Sequence, residues 1–446
     1  MALFGTDGVR GVANIYLTAE LAVDLAVAAA HVLGEIGVFA GHRPKAIVGQ
    51  DSRASGDFLE SAIVAGLTSA GVDVYRVGVL PTPAVSYLVK ESNADLGVMI
   101  SASHNPMPDN GIKFFAKGGD KLADLLEAQI ESRLGEPWDR PVGHNVGRII
   151  TDDGAKDRYI SYLLSTISTK LSGLKVIVDC ANGASSFVAP ILYEKAGATV
   201  TAVSAAPTGW NINEKCGSTH LDNLINQVKK SGADIGIAHD GDADRCLLIS
   251  EQGEVIDGDF ILNILAKSWV SNGKLKKNTV VGTVMSNLGF IKAMEEAGIK
   301  VEKTAVGDRY VLEKMLENDY ALGGEQSGHV IMRDFSNTGD GLLTALQVMQ
   351  IMASSNQTLT KLTSNIKKYP QVLINVKDVQ KEKLATSKVI GDAILVAEKE
   401  LAGSGRVLIR SSGTESLVRV MVEANELQIA QKIAESLAQL VRSELK

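Results

Sequence analysis

Short apolar runs alternate with longer amphipathic stretches along most of the chain. The runs that predict β-strands cover residues 45–50, 73–80, 96–100, 174–180, 233–239, 279–285 and 320–325. Apolar residues at helical spacing predict helices between them, at residues 17–36, 57–71, 223–232 and 291–298. Because strands that alternate with helices form βαβ units, the pattern predicts largely parallel sheets covered by helices.

Breaks in this pattern divide the chain into four parts. We expect three similar α/β domains with mixed or parallel sheets, at residues 1–150, 151–256 and 257–367. The remaining part, 368–446, differs because its strands and helices follow one another without long crossovers. Its predicted strands lie at 371–377, 405–410 and 416–424, and its predicted helices at 388–401 and from 426 onward. This part predicts a small α+β domain on a partly antiparallel sheet.

Composition narrows the class of protein. Of the 446 residues, 45% are hydrophobic and 22% are charged, which is typical of a globular protein. The net charge of −7, without a dense Lys/Arg run, argues against nucleic acid or an anionic membrane as a partner. Cys180, Cys216 and Cys246 lack CxxC spacing, which favours a reducing compartment over a disulfide framework. The start MALFGTDGVRG is charged where a signal peptide is apolar. The uncharged stretch 341–360 predicts a buried or amphipathic helix rather than a membrane span. We therefore expect a cytoplasmic protein.

The hexapeptide DGDADR is the most specific motif of the chain. Its residues Asp240, Asp242 and Asp244 alternate with small residues, so an extended backbone would point the three carboxylates to one side. Three carboxylates without His or Cys favour a hard cation such as Mg²⁺. The alternatives are an EF-hand loop, in which Glu251 would be the twelfth ligand position, and a solvated acidic loop. However, Arg245 occupies the position where an EF-hand needs glycine, and close like charges repel each other without a cation.

The segment SASHNP follows the apolar run 96–100 and places Ser103 just beyond a predicted strand end. One interpretation is an ordinary turn closed by a proline. The other is a serine that carries a covalent group, with His104 beside it and Lys113 a short distance along the chain. A Ser-His-Asp hydrolase is disfavoured, because the Gly-x-Ser-x-Gly elbow is absent and His104 directly adjoins the serine.

The segment RSSGTES begins at Arg410 and is followed by Arg419. Hydroxyls, backbone N–H groups near a glycine and two guanidinium groups suit the oxygens of a phosphate. A hairpin turn is the alternative, and the two interpretations are compatible because a tight turn can aim backbone amides at an anion.

Three further loops are less specific. In GGEQSGH, an extended backbone would place Glu325, Ser327 and His329 on one face, where they could bind sugar hydroxyls, although an ordinary polar loop is an equal alternative. GTDGVRG carries Arg10 and TAVGDRYV carries Arg309, each of which could serve a phosphate or a surface ion pair.

Together these loops resemble those of the α-D-phosphohexomutase superfamily, and in detail those of its glucosamine branch. The resemblance covers essentially the whole chain in order, through FGTDGVRGVAN, SASHNP, DGDADR, GEQSGH and RSSGTES. It implies a four-domain, heart-shaped enzyme around a central cleft. That enzyme would interconvert glucosamine 6-phosphate and glucosamine 1-phosphate through a 1,6-bisphosphate, feeding UDP-N-acetylglucosamine and cell-wall synthesis.

The resemblance also implies the role of each residue. Ser103 would be a phosphoserine at rest and would contact one Mg²⁺ held by Asp240, Asp242 and Asp244. The implied catalytic residues are Ser103, His104, Arg10 and Lys113, the last as the candidate for proton transfer. The implied substrate-binding residues are Glu325, Ser327, His329, Arg309, Arg410, Ser412, Gly413, Thr414 and Arg419. A hexose 1,6-bisphosphate is the implied activator and a small phosphosugar the implied partner, and a homodimer is an open expectation.

Three alternatives remain at this point. A phosphomannomutase or phosphoglucomutase would keep the fold and change the sugar. A metal-dependent phosphatase would need an activated water, and a calcium-binding module would need no catalytic serine. The sequence departs from the family pattern at Ser416, where proline is usual, which puts the rigidity of that loop in question.

Overall fold

The computed structural model describes residues 3–5, 7–411 and 417–446. The chain forms two compact units, of which unit 1 is Met1–Met285 with Ile299–Thr363 and unit 2 is Ser286–Gly298 with Ser364–Lys446. Among the described residues, no helix is both long enough and apolar enough to cross a membrane. The domain limits at 150, 256 and 367 stay predictions.

The first sheet of unit 1 has six strands in the order β1-β5-β4-β2-β3-β6. Strands β2, β3, β4 and β6 are parallel to one another, whereas β5 is antiparallel to β4 and β1. The strands are β1 (Val9–Val12), β2 (Lys45–Gln50), β3 (Asp73–Val79), β4 (Leu96–Ile100), β5 (Asp109–Ala116) and β6 (Ile149–Thr151). The helices between them are α1 (Ala19–Glu35), α2 (Gly56–Ser69), α3 (Thr82–Glu91) and α4 (Asp124–Ser132).

The second sheet has five strands in the order β11-β10-β9-β7-β8. Here β7, β8 and β9 are parallel and β10 is antiparallel to β9 and β11. The strands are β7 (Lys175–Asp179), β8 (Thr199–Val203), β9 (Ile235–His239), β10 (Cys246–Ser250) and β11 (Val255–Ile256). The helices are α5 (Ala155–Ser165), α6 (Ala189–Lys195) and α7 (Asp222–Ser231).

The third sheet has four strands in the order β13-β12-β14-β15. Strands β12, β13 and β14 are parallel and β15 is antiparallel to β14. The strands are β12 (Thr279–Thr283), β13 (Lys300–Thr304), β14 (Leu322–Gly324) and β15 (Val330–Met332). The helices of this stretch of chain are α8 (Gly258–Ser271), α9 (Leu288–Glu296), α10 (Asp308–Asn318), α11 (Gly341–Ser355) and α12 (Leu359–Thr363), of which α9 belongs to unit 2.

Unit 2 contains an antiparallel three-stranded sheet in the order β16-β18-β17. Its further elements are β16 (Gln371–Lys377), α13 (Lys388–Leu401), β17 (Gly405–Ser411), β18 (Leu417–Ala424) and α14 (Leu427–Glu444). Both helices pack on this sheet around a core that includes Val420, Val422 and Ile433. The predicted fold class is therefore confirmed as three mixed α/β sheets followed by an α+β part.

The same strand order recurs in the first three sheets. The series β5-β4-β2-β3, β10-β9-β7-β8 and β15-β14-β12-β13 are equivalent, each with one antiparallel strand beside a parallel set. In each sheet, a short loop joins a strand of the parallel set to that antiparallel neighbour. We name these connections the serine loop (101–108), the metal loop (240–245) and the sugar loop (325–329). They contain the motifs SASHNP, DGDADR and EQSGH.

Close helix packing supports the first of these sheets. The Thr18 hydroxyl caps the N-terminus of α1 by accepting a hydrogen bond from the backbone N–H of Leu21. Gly66 lets α2 approach α1, because a Cβ at this position would lie 2.7 Å from the Cβ of Ala26. Both helices share one core with β2 and β4, which fixes the strand from which the serine loop emerges.

Candidate active site

Ser103 lies in the serine loop, with its side chain turned away from solvent. The residue is 1% exposed and adopts a left-handed backbone conformation, with φ of 51°. Its Oγ donates a hydrogen bond to Asp240 Oδ2 at 2.6 Å and lies 3.2 Å from His104 Nδ1. Ser103 and Asp240, which the sequence singled out in two separate motifs, are thus in direct contact.

The three aspartates of the metal loop converge, but not by the predicted route. Asp240, Asp242 and Asp244 are buried, and one carboxylate oxygen of each lies within 4.8 Å of the others. The expected extended backbone is wrong, because residues 241–244 form a turn in which Ala243 has φ of 55°. The turn joins the antiparallel strands β9 and β10, which confirms the predicted strand at 233–239 and adds a second strand directly after the motif.

The charge of this cluster fits a hard cation. Within the part of the chain that the structure describes, Asp242 Oδ1 and Asp244 Oδ1 are buried without a hydrogen-bond partner. Burial and the neighbouring carboxylates raise the pKa of both Asp240 and Asp244, since there is too little positive charge to stabilise all three anions. Unsatisfied buried carboxylate oxygens with no nitrogen or sulfur ligand are the donor set that Mg²⁺ prefers.

Lys113 extends from β5 to the metal loop. Its Nζ lies 2.8 Å from Asp242 Oδ2, 3.1 Å from Asp7 Oδ2 and 3.9 Å from Asp244 Oδ2. Burial opposes the charged amine, but the three carboxylates outweigh it and raise the pKa of Lys113 above its usual range. The amine therefore holds its proton in this arrangement and carries a positive charge between the carboxylates of Asp242, Asp7 and Asp244.

Two further side chains border Ser103. The guanidinium of Arg10 forms an ion pair with Asp7 and donates a hydrogen bond to the carbonyl oxygen of Ala102 at 3.3 Å. Burial, together with the positive charges of Arg245 and Arg10, lowers the pKa of His104 to about 4. The imidazole next to Ser103 is thus neutral near pH 7.

Several charged residues of the site were missed by the sequence analysis. Asp7 Oδ1 accepts a hydrogen bond from Lys121 Nζ at 2.8 Å, and Lys121 also pairs with Asp308. Asp308 Oδ2 in turn lies 3.6 Å from His329 Nε2. Asp7 and Asp308 belong to motifs in which only the arginine was considered, whereas Lys121 has no motif that could have identified it.

The sugar loop lies directly against the metal loop. Arg245 and His329 form an antiparallel bridge, and the backbone N–H of Cys246 donates a hydrogen bond to the carbonyl oxygen of Gly328 at 3.0 Å. The loop is a turn rather than an extended segment, so its three predicted residues do not share a face: Ser327 is exposed, Glu325 is half-buried and His329 is buried. Glu325 Oε1 accepts a hydrogen bond from the N–H of Gly307 at 2.9 Å.

Arg309 has partners away from the three aspartates. Its guanidinium forms ion pairs with Asp124 and Glu127, and it donates a hydrogen bond to the carbonyl oxygen of Leu122 at 3.2 Å. Burial raises the pKa of Glu127 to about 7. The structure thus brings Asp308, rather than its neighbour Arg309, to the charged cluster around Asp7.

In unit 2, Arg410 and Arg419 occupy directly opposite positions of the antiparallel strands β17 and β18. Burial and the charge of Arg419 lower the pKa of Arg410, because like charges face each other across the strands. The other predicted residues of this loop, Ser412, Gly413 and Thr414, lie outside the described residues, as does Ser416.

Comparison with known families gives four matches in chain order. They are Phosphoglucomutase/phosphomannomutase alpha/beta/alpha domain I at residues 1–137, domain II at 157–253, domain III at 257–369 and the C-terminal domain at 373–440. Among similar proteins, phosphoglucosamine mutase from Streptomyces griseus is 58% identical over 448 residues, covering 99% of each chain.

Solved structures show the same fold. A phosphoglucomutase/phosphomannomutase family protein from Burkholderia thailandensis superposes with a TM-score of 0.84 at 22% identity, covering 100% of this chain and 98% of that chain. N-acetylphosphoglucosamine mutase from Aspergillus fumigatus, solved in complex with GlcNAc-6P and magnesium, gives 0.67 at 17% identity, covering 100% and 96%. With the identities above, the chain belongs to the phosphoglucomutase/phosphomannomutase family of α-D-phosphohexomutases, within its phosphoglucosamine mutase group.

Proposed function

We propose that this protein reversibly isomerises glucosamine 6-phosphate and glucosamine 1-phosphate, with Ser103 as the residue that carries the phosphoryl group. The observation that carries the proposal is the contact of 2.6 Å between Ser103 Oγ and Asp240, beside two buried carboxylate oxygens without hydrogen-bond partners among the described residues. A serine at the edge of a carboxylate cluster suits a phosphoryl group bridged to the protein by a cation.

In the forward reaction, the bond between phosphorus and Ser103 Oγ breaks as a bond forms to the C1 hydroxyl oxygen of glucosamine 6-phosphate. The sugar hydroxyl loses its proton and Ser103 gains one, so the number of protons is unchanged. The resulting 1,6-bisphosphate then returns its C6 phosphoryl group to Ser103 after the sugar has turned around. Phosphoryl transfer of this kind depends mainly on alignment and charge stabilisation.

Asp240, Asp242 and Asp244 would hold one Mg²⁺, which supplies charge stabilisation to the transferring phosphoryl oxygens. Lys113 is the candidate for donating the proton to the departing oxygen, supported by the position of its Nζ at the metal loop, 2.8 Å from Asp242 Oδ2. Arg10 and neutral His104 border the serine and orient the group that it carries.

Substrate binding is assigned to two loops. Glu325, Ser327 and His329 of the sugar loop offer a carboxylate, a hydroxyl and an imidazole to sugar hydroxyls, and Arg309 is retained as a further substrate-binding residue by resemblance to the family. The non-reacting phosphate is assigned to the segment around Arg410 and Arg419, with Ser412, Gly413 and Thr414. The opposed guanidinium groups of Arg410 and Arg419 support this assignment, since an anion between like charges relieves their repulsion.

We also retain the remaining expectations as proposals. A hexose 1,6-bisphosphate would activate the enzyme by loading Ser103, and the product would feed UDP-N-acetylglucosamine and cell-wall synthesis. The cytoplasm is the expected compartment, supported by three buried free cysteines. A homodimer remains an expectation for the oligomeric state.

The test compares glucosamine 6-phosphate, mannose 6-phosphate and glucose 6-phosphate with Mg²⁺ and a trace of glucose 1,6-bisphosphate, followed by phosphorus NMR. We expect glucosamine 1-phosphate to form fastest, and Ser103→Ala to abolish that conversion. Ser186→Ala is the matched control, because Ser186 is a serine outside the three loops. Faster conversion of a neutral sugar would assign the phosphomannomutase or phosphoglucomutase activity, and full activity in Ser103→Ala would refute the phosphoserine mechanism.

A further inference from the structure

Arg53 is fully buried beneath the serine loop, and its guanidinium is surrounded by carbonyl oxygens of that loop and of the first residue of β5. Its Nη2 donates hydrogen bonds to the carbonyl oxygens of Ser103 at 3.0 Å and Asn105 at 2.9 Å. Its Nη1 donates to those of Pro106 at 2.7 Å and Asp109 at 3.0 Å. Four backbone carbonyls around Ser103 are thus held by one side chain that is 1% exposed.

Asp51 completes the coordination of this guanidinium. Arg53 Nε donates to Asp51 Oδ2 at 3.0 Å, so five acceptors surround the five N–H donors of the side chain. The same carboxylate oxygen accepts a hydrogen bond from Ser101 Oγ at 2.6 Å. Ser101 Oγ in turn accepts one from the N–H of Ser103 at 2.9 Å. Hydrogen bonds that lead to Arg53 therefore fix both the N–H and the carbonyl of Ser103.

A second donor reaches the same carbonyls from another part of unit 1. Asn213 is 8% exposed, and its Nδ2 donates to the carbonyl oxygens of Ser103 at 2.9 Å and Asn105 at 3.0 Å. These two carbonyl oxygens are therefore each bound twice, once from Arg53 and once from Asn213.

This dense set of contacts coincides with a strained backbone. A non-glycine residue at positive φ costs about 1–3 kcal/mol and persists only where its surroundings determine it. Ser103 has φ of 51°, and this conformation brings its Oγ to Asp240. The carbonyl oxygen of Ser103 accepts from Arg53 and Asn213, and its N–H donates to Ser101 Oγ, so three directed hydrogen bonds hold the strained residue.

We propose that Arg53 is a positioning residue for phosphoryl transfer, which sets the Ser103 backbone through four carbonyl oxygens, with Asp51 and Asn213 in support. The inference rests on the proposed role of Ser103. Lysine cannot replace the arginine, because its ammonium has three donors that do not form a planar fork. A buried ion pair adds little net stability, so the value of this one lies in the geometry that it imposes.

The experiment compares Arg53→Lys with wild type, each loaded with glucose 1,6-bisphosphate. A displacement of about 1 Å can reduce a rate by about 100-fold, so we expect kcat to fall by about that factor while KM changes less than about threefold. The phosphorus NMR resonance of the phosphoserine should also shift. Ile63→Ala is the matched control, because it truncates a buried side chain of α2 and should lower Tm without changing kcat.

Asn213→Leu gives an independent test if Arg53→Lys fails to fold. Leucine has similar size but cannot donate to the two shared carbonyls, and because Arg53 would still bind them, we expect a smaller displacement and a fall of kcat by about 10-fold at unchanged KM. Wild-type kcat in a folded Arg53→Lys, or in Asn213→Leu, would overturn the inference. A wild-type enzyme that turns over without phosphate on Ser103 would instead refute the proposed function, and the two failures are thereby distinguished.

Discussion

The serine loop and the metal loop occupy equivalent positions in their sheets but are stabilised in opposite ways. In the serine loop, Arg53 and Asn213 bind the backbone carbonyls around Ser103. In the metal loop, the buried oxygens Asp242 Oδ1 and Asp244 Oδ1 have no hydrogen-bond partner within the described chain. The serine loop is therefore held by hydrogen bonds from the protein, whereas the metal loop keeps buried carboxylate oxygens that could bind a cation.

This difference separates two requirements of the reaction. The nucleophile needs a fixed direction, which hydrogen bonds from the protein can provide before any ligand binds. A transferring phosphoryl group is negatively charged and needs a positive counter-charge, which Lys113 alone cannot supply because its ammonium already faces the carboxylates of Asp242 and Asp244. Uncompensated carboxylates keep the electrostatic role open for a metal ion.

Lys113 lies between the serine loop and the metal loop, so we expect its removal to lower kcat more than any other substitution proposed below. We expect Lys113→Met to lower kcat by about 10³-fold, as removal of a proton donor commonly does. Steady-state kinetics at saturating substrate measures this loss. Lys117→Met is the control, because Lys117 lies just beyond β5 but pairs with Asp95. Equal losses in both variants would show that general charge, rather than the position of Lys113, matters.

His239 at the end of β9 supports the base of the metal loop, and burial lowers its pKa to about 4. Its Nδ1 donates to the carbonyl oxygen of Arg245 at 3.0 Å, so Nε2 accepts from the hydroxyl of Tyr193 at 3.0 Å. The unfolded histidine titrates near pH 6.5, so between about pH 6.5 and 4 the unfolded state binds the extra proton and stability falls with falling pH.

The shift of the His239 pKa corresponds to about 3 kcal/mol of unfolding free energy lost over that range. Urea unfolding at several pH values should show this slope in wild type and a flatter one in His239→Gln. His144→Gln serves as the control, because His144 is exposed. An unchanged slope in His239→Gln would mean that other groups govern acid stability.

The effect of Asp244→Asn on the unfolding free energy should change sign when a divalent cation is added. In a chelator, removing one of three close carboxylates should raise the unfolding free energy by about 1 kcal/mol. In saturating Mg²⁺, wild type should be the more stable protein, since at about 100 times Kd a ligand contributes about 2.7 kcal/mol. Thermal unfolding in both conditions measures the crossing, and parallel curves without a crossing would contradict a cation site.

We expect the smallest effect on kinetics in the sugar loop, at Ser327. Its side chain is exposed, so Ser327→Ala should leave Tm unchanged and raise KM by about two- to fivefold through the loss of one hydrogen bond of about 1 kcal/mol. Gln357→Ala is the control, because Gln357 is exposed in the connection between α11 and α12. A loss of kcat larger than the change in KM would give Ser327 a role in the reaction itself.

The sequence predicted the site best where one loop carries its own chemistry. Ser103 and the three aspartates follow buried strands of the predicted type, and their residue types alone indicate nucleophile and metal ligands. Lys121 shows the limit, because it contacts Asp308 across 187 positions of sequence. Only the folded arrangement of the sheets brings such residues together, and no local sequence pattern predicts that contact.

Backbone conformation was the second limit. Alternating aspartates predicted an extended segment, whereas the left-handed Ala243 makes a turn that gathers the same carboxylates. The sequence also did not predict β5, β10 and β15 as separate strands, because their apolar runs follow the motifs directly. Arg53 was overlooked for a different reason. Most of its partners are backbone carbonyl oxygens, which every residue type has, so no sequence pattern identifies them.

The repeated order of strands has a consequence for how the proposed roles are divided within the chain. One connection, used three times, presents the proposed phosphoryl carrier, the proposed cation ligands and the proposed sugar-binding segment on three separate sheets. The proposed sugar contacts therefore lie on a different sheet from Ser103 and from the three aspartates, so each group of residues can be substituted separately.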